Sequence, residues 1–243
     1  MFVCKAAVVG AGTVGASIAE TIEAAGISVI LKDLGSGYGG LGDVELVIEA
    51  VAEGLELGQE VFAELDQVTP GGAILASSTS SLSITELGHA TIRPDKVVGL
   101  HFFHPATKAR VVEVVEGEST SPETIQAATA FVQRIRRVPI RCLDAPGFAV
   151  NRILLSAISE AWRHQLDTGV EPAEIDIALV AGRPDGRGPF RLADEVGLDT
   201  TLHIAQYLQG AYGDRFAVHP RLRELLAEGH FGSELGRGHQ DDE

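Results

Sequence analysis

Apolar and polar positions follow two different rhythms along this chain, and the change of rhythm divides it. Residues 5–33, KAAVVGAGTVGASIAETIEAAGISVILKD, open with a short apolar run from Ala6 to Val9, the kind a buried parallel strand needs. Val14, Ile18 and Ile22 then recur every four residues, as one face of a helix does; Gly26 ends that helix, and Ile27 to Leu31 supply a second strand. Further apolar runs at 44–50, 72–78, 96–103, 109–117 and 138–142 alternate with helical patterns such as LELGQEVFAELD and SPETIQAATAFVQRIRR. Strands alternating with helices predict an α/β fold with a doubly wound, mostly parallel sheet. From Pro146 and Gly147 to Leu226 the rhythm is helical, so the expected organisation is an α/β domain over 1–144 and an all-helical domain over 145–243. The polar, glycine-interrupted tail GSELGRGHQDDE is expected to fray.

Composition narrows the function classes. A hydrophobic content of 45% over 243 residues is enough to fill such cores. No apolar window reaches the length of a membrane span and the N-terminus lacks a secretory signal, so the expectation is a cytoplasmic protein without a membrane partner. The net charge of −15 works against nucleic acid, and no lysine- or arginine-rich run offsets it. Cys4 and Cys142 fall in predicted strands and are expected to be buried free thiols, as suits a reducing compartment.

The junction of the first strand and helix reads G-x-G-x-x-G at Gly10, Gly12 and Gly15. The first glycine permits the tight turn, the second lets the backbone approach a pyrophosphate, and the third lets helix and strand pack closely, with free N–H groups at the helix start. Asp33 ends the second strand 18 residues after Gly15, where a carboxylate can accept from both ribose hydroxyls and would repel a 2′-phosphate. The motif in this context predicts a Rossmann-type domain that takes NAD, with Gly10, Gly12, Thr13, Val14, Gly15 and Asp33 as candidate cofactor-binding residues.

A nicotinamide enzyme acting on an alcohol needs a base for the hydroxyl proton. His101, at the C-terminal end of an inferred parallel strand, stands where ligands bind in open α/β sheets, and Glu113 in the next strand could fix its tautomer. Two readings stand on these residues alone: a catalytic base with its carboxylate, or a structural core histidine. His101-x-x-His104 also has a metal-ligand spacing, but no suitable third ligand accompanies it, and no metal is expected.

The segments GAGTVGASIA, LVIEAV, TSSLSITEL, GLHFFHP, VVEVVEG, DAPGFAVNRIL and GPFRLADEVGLDTT, in this order and spacing over nearly the whole chain, resemble the L-3-hydroxyacyl-CoA dehydrogenase family. The resemblance implies an NAD-dependent, homodimeric enzyme that interconverts 3-hydroxyacyl and 3-oxoacyl thioesters of coenzyme A. It implies His101 as general base with Glu113 as partner, Ser80 touching substrate and nicotinamide, and Asn151 completing the site from the helical domain. It also places Glu49 beside the cofactor ribose and His104 near the nicotinamide, where asparagine is commoner.

The chain departs from the family elsewhere: Ser78 replaces an asparagine, Gly58 a lysine, and the tail lacks a lysine near the cofactor. LGSGYGGLGD, residues 34–43, stands where the family has several tens of residues, including a crossover helix and a helical hairpin that grips the nucleotide end of coenzyme A. Ten glycine-rich residues are too few for a crossover helix but can bridge the sheet when extended, at roughly 30 Å of reach. A reductase of related 3-hydroxy acids or carrier-bound thioesters, and an NAD-binding subunit without turnover, are the alternatives.

Overall fold

A computed structural model describes residues 3–181 and 186–232, in two compact units, Met1–Phe148 and Ala149–Glu243. The tail from Ser233, where fraying is expected, lies outside the described residues.

In the first unit β1 (Lys5–Val9), α1 (Thr13–Ala24) and β2 (Ser28–Lys32) form the opening strand–helix–strand unit, followed by β3 (Leu46–Glu49), α2 (Leu55–Val68) and β4 (Ile74–Ser77). Next come α3 (Ile84–Gly88), β5 (Val97–Phe102), β6 (Val111–Glu116), α4 (Pro122–Arg134) and β7 (Val138–Leu143). The seven strands form one sheet in the order β2-β1-β3-β4-β5-β6-β7. β1 to β5 are parallel, β6 runs antiparallel to β5, and β7 is parallel to β6. The inner strands are short apolar runs because both faces are covered. Ile18 and Ile22 of α1 pack with Phe131 and Val132 of α4 on one face, and Phe62 and Leu65 of α2 with Ile84 and Leu87 of α3 on the other.

Along the helix face marked by Val14, Ile18 and Ile22, the two isoleucines are fully buried and Val14, in the first turn of α1, is 39% exposed. The expectation of buried thiols is corrected. Cys4 precedes β1 and is exposed rather than buried, its N–H donating to Glu45; Cys142 is only partly buried.

No helix forms between β2 and β3. The segment 33–45 instead lies along the α2 face with Leu41 and Val44 fully buried and Tyr38 packed against the same cluster, so three side chains cover the strip of sheet. Burial, with the Glu64 carboxylate beside it, raises the Tyr38 phenol above its ordinary range. β2 is left as the sheet edge.

The second unit comprises α5 (Val150–Thr168), α6 (Pro172–Val180), α7 (Pro189–Val196), α8 (Leu198–Tyr212) and α9 (Pro220–Ala227), with no strand among its described elements. Trp162, Phe190, Leu198 and Leu222 form its core. Asp176 caps α7 by accepting from the N–H groups of Phe190 and Arg191, and Gly188 is required there because a Cβ would overlap the Asp176 carboxylate.

His219 is buried and stacked on Trp162 with ring centroids 5.9 Å apart, and its Nδ1 accepts from the Arg221 N–H at the start of α9. The proton then sits on Nε2, which has no partner among the described residues. Burial holds this histidine below its ordinary pKa, reinforced by Arg163 and opposed by Glu224. The unfolded chain therefore binds the extra proton first: the contribution to stability is complete above about pH 6.5 and is lost as the pH falls through that value. In thermal melts, the drop in Tm between pH 7.5 and 5.5 should be larger for the wild type than for His219→Gln; equal drops would remove His219 from the account.

Candidate active site

The C-terminal ends of β1, β3, β4 and β5 point the same way, and the strand order turns around β1, which places a ligand crevice above its end. Gly10 takes a positive φ of 111°, and a Cβ on it would collide with the Ala50 carbonyl; a Cβ on Gly15 would overlap the Gly10 carbonyl oxygen. Gly12 differs, because a Cβ there meets nothing within 4 Å. Its missing side chain therefore leaves open space outside the protein's own packing, as a bound phosphate would require. Gly12 caps α1 without a side-chain hydrogen bond and no acid occupies the first turn, so the N–H groups from Thr13 onward keep their positive character.

Asp33 follows β2 directly and is exposed, with Oδ1 accepting from the N–H of Leu34 at 3.0 Å and of Ala11 at 3.4 Å. This places a carboxylate beside the glycine turn, the arrangement that reads ribose hydroxyls. Asp33→Ser should relax the preference for NADH over NADPH by roughly tenfold, one lost charge-assisted contact. Calorimetric titration checks it, and equal wild-type affinities for the two cofactors would sink the assignment.

His101 and Glu113 are directly opposite each other across the antiparallel β5–β6 pair. That register turns both side chains to the α2 face, where His101 Nδ1 lies 2.7 Å from Glu113 Oε2. Exposures are 5% for His101 and 0% for Glu113, so the contact is shielded from water. Phe103 and Phe148 flank the imidazole with centroids at 4.6 and 5.8 Å, and Cys142 Sγ lies 4.0 Å from Glu113 Oε1. With Nδ1 directed to the carboxylate, Nε2 is the ring nitrogen left for a substrate proton. The pair can accept a proton on Nε2 and stabilise the resulting imidazolium.

Ser80 lies in the turn after β4, next to β5 in the sheet, and His104 is exposed just beyond β5. Glu49 ends β3 at 4% exposure, and both its oxygens are engaged internally, by the Ser77 hydroxyl at 2.6 Å and the Val51 N–H at 2.7 Å. Burial raises its pKa against those two hydrogen bonds, with the nearby Glu53 charge adding to the rise. Glu53 itself escapes the sequence reading. It accepts from the whole Ser80 turn. The available signal is a second acid four residues after Glu49, at a strand's C-terminal end. Asn151 belongs to the second unit, in the first turn of α5, at 7% exposure. Among the described residues no group of three or more His, Cys, Asp or Glu is placed to hold a metal ion.

Residues 35–145 match the family description 3-hydroxyacyl-CoA dehydrogenase, NAD binding domain, and residues 147–242 match 3-hydroxyacyl-CoA dehydrogenase, C-terminal domain. The chain is 34% identical to a 3-hydroxybutyryl-CoA dehydrogenase of Clostridioides difficile over 98% of its own length and 99% of that protein's. That alignment spans 277 positions against 243 residues here, so the relative carries at least 34 positions that this chain lacks. A probable 3-hydroxybutyryl-CoA dehydrogenase of Bacillus subtilis is 39% identical over 82% of this chain and 70% of its own. Among solved structures, (S)-3-hydroxybutyryl-CoA dehydrogenase from Ralstonia eutropha superimposes with a TM-score of 0.90 at 30% identity, covering 98% of both chains.

Proposed function

Because the chain belongs to the 3-hydroxyacyl-CoA dehydrogenase family, we propose that it is an NAD-dependent dehydrogenase interconverting 3-hydroxyacyl-CoA and 3-oxoacyl-CoA. The observation that carries this reading to a mechanism is the buried His101–Glu113 pair at 2.7 Å beside the turn that holds Ser80. NAD, when bound, supplies the hydride acceptor and its reduced form the donor. Gly10, Gly12, Thr13, Val14 and Gly15 would hold its pyrophosphate and Asp33 its adenosine ribose, which fits the open space at Gly12 and the uncapped start of α1. Proton transfer is the part carried by the chain itself. In oxidation His101 Nε2 takes the 3-hydroxyl proton, Glu113 stabilises the imidazolium, and in reduction the same proton returns to the alkoxide oxygen. The Ser80 hydroxyl orients the substrate oxygen, and His104 stands on the nicotinamide side.

The exposed apolar residues of the helical unit, Ile153, Leu166, Ile177 and Leu179, support a homodimer formed through that unit. Among the described residues no helix is long and apolar enough to cross a membrane, and the proposed setting is cytoplasmic fatty-acid β-oxidation.

The short 33–45 segment favours a specific form of this activity. With no helical hairpin between β2 and β3, the thioester end of the substrate is recognised while the coenzyme A nucleotide goes largely ungripped. Remote binding energy normally supports turnover as well as affinity, so its loss should make the nucleotide nearly irrelevant to both. Acetoacetyl-CoA should support NADH consumption, and acetoacetyl-pantetheine should match its kcat/KM within about tenfold. No NADH consumption with either thioester would refute the proposed activity. A preference of a hundredfold or more for the coenzyme A ester would show that another surface holds the nucleotide.

A further inference from the structure

We propose that Glu53 is a positioning residue that holds the Ser80 turn in its working shape. Glu53 lies in the connection from β3 to α2 and Ser80 in the connection from β4 to α3, so the contact joins the tops of two neighbouring parallel strands. One oxygen, Oε1, accepts from the Thr79 hydroxyl at 2.6 Å, the Ser81 hydroxyl at 2.7 Å, and the N–H groups of Ser81 and Ser80 at 3.1 and 3.2 Å. The Ser80 hydroxyl itself stands 3.4 Å from the same oxygen.

Thr79 relays the hold, its hydroxyl oxygen accepting from the Ser81 and Leu82 N–H groups while its proton goes to Glu53. On the other side the Thr79 N–H goes to the Ser77 hydroxyl, which donates to Glu49. Each backbone N–H from Thr79 to Leu82 is thus taken by a side-chain oxygen, and two carboxylates four residues apart anchor the turn. Such a turn lacks the main-chain ladder that would hold its shape if a side chain were cut away. Because four of these donors converge on one oxygen, Glu53 is the anchor whose loss frees the most donors at once.

This inference rests on the reading of Ser80 as a substrate contact, and two measurements separate the two. Backbone amide exchange, followed by NMR on the cofactor-free protein, should speed up at least tenfold at Ser80 and Ser81 in Glu53→Ala and stay near wild type in Glu53→Gln, which keeps an oxygen in place. In turnover of acetoacetyl-CoA, Glu53→Ala and Ser80→Ala should each lower kcat/KM by tenfold or more. Their double variant should be no more than about threefold worse than the poorer single one, because Glu53 acts through Ser80. Unchanged amide exchange in Glu53→Ala overturns the inference, as does a double variant in which the two losses multiply. Wild-type turnover in Ser80→Ala would refute the role of Ser80, while amide exchange would still decide whether Glu53 holds the turn.

Discussion

His101→Ala should give a folded protein that binds NADH as the wild type does but turns over acetoacetyl-CoA some 10²–10⁴-fold more slowly, the range of one acid–base contribution. The imidazole has one nitrogen tied at 2.7 Å to the buried Glu113 carboxylate, and its removal takes away the other nitrogen, the one proposed to accept the 3-hydroxyl proton. Glu113→Gln should keep the ring in place through an amide oxygen yet lower turnover by about two orders of magnitude, because the charge that stabilises the imidazolium is gone. Steady-state kinetics and NADH fluorescence titration on the same preparations check both. A rate above a tenth of wild type in His101→Ala would show that another group is the base.

Gly10→Ala is expected to have the largest effect on the fold. The positive φ of 111° and the collision with the Ala50 backbone act together, and Ala50, directly after β3, cannot retreat without breaking the hydrogen bond from its N–H to the Val9 carbonyl of β1. Strain from the conformation and from overpacking, each about 1–3 kcal/mol, adds to roughly 4 kcal/mol of lost stability, with loss of NADH binding. Gly39→Ala is the internal control, because its Cβ meets nothing within 4 Å. Urea denaturation should leave Gly39→Ala within about 1 kcal/mol of wild type. A Gly10→Ala protein as stable as Gly39→Ala would show that the turn relaxes more readily than its geometry implies.

The sheet is legible in the sequence because its inner strands are buried on both faces and read as uninterrupted apolar runs. His101 and Glu113 are legible for the same reason, as polar residues inside such runs, although their cross-strand register needs the antiparallel pairing of β5 and β6. α3 escapes the pattern because five residues, Ile84–Gly88, are too few to show a helical period; its start is fixed by the Ser83 cap and the Asp144 carboxylate. Glu53 is invisible as a partner of Ser80 because 27 residues separate them and only the adjacency of β3 and β4 closes that distance. The cap that Asp176 provides to α7 depends on a contact across fourteen residues that no local pattern announces.

The segment between β2 and β3 separates two kinds of information that a longer chain would mix. Its apolar burial is confined to Tyr38, Leu41 and Val44, while Gly35, Gly37, Gly39, Gly40 and Gly42 have no neighbour that a Cβ would touch. Extra sequence emerging at Gly39 and Gly40 would therefore project into open space without disturbing the strip they span, as tolerated domain insertions do. The proposed reacting residues of the first unit, Ser80, His101 and Glu113, all lie downstream of this point. The chain thus has a ready splice point, where a handle for another carrier could be grafted or exchanged while the proton-transfer machinery is inherited intact.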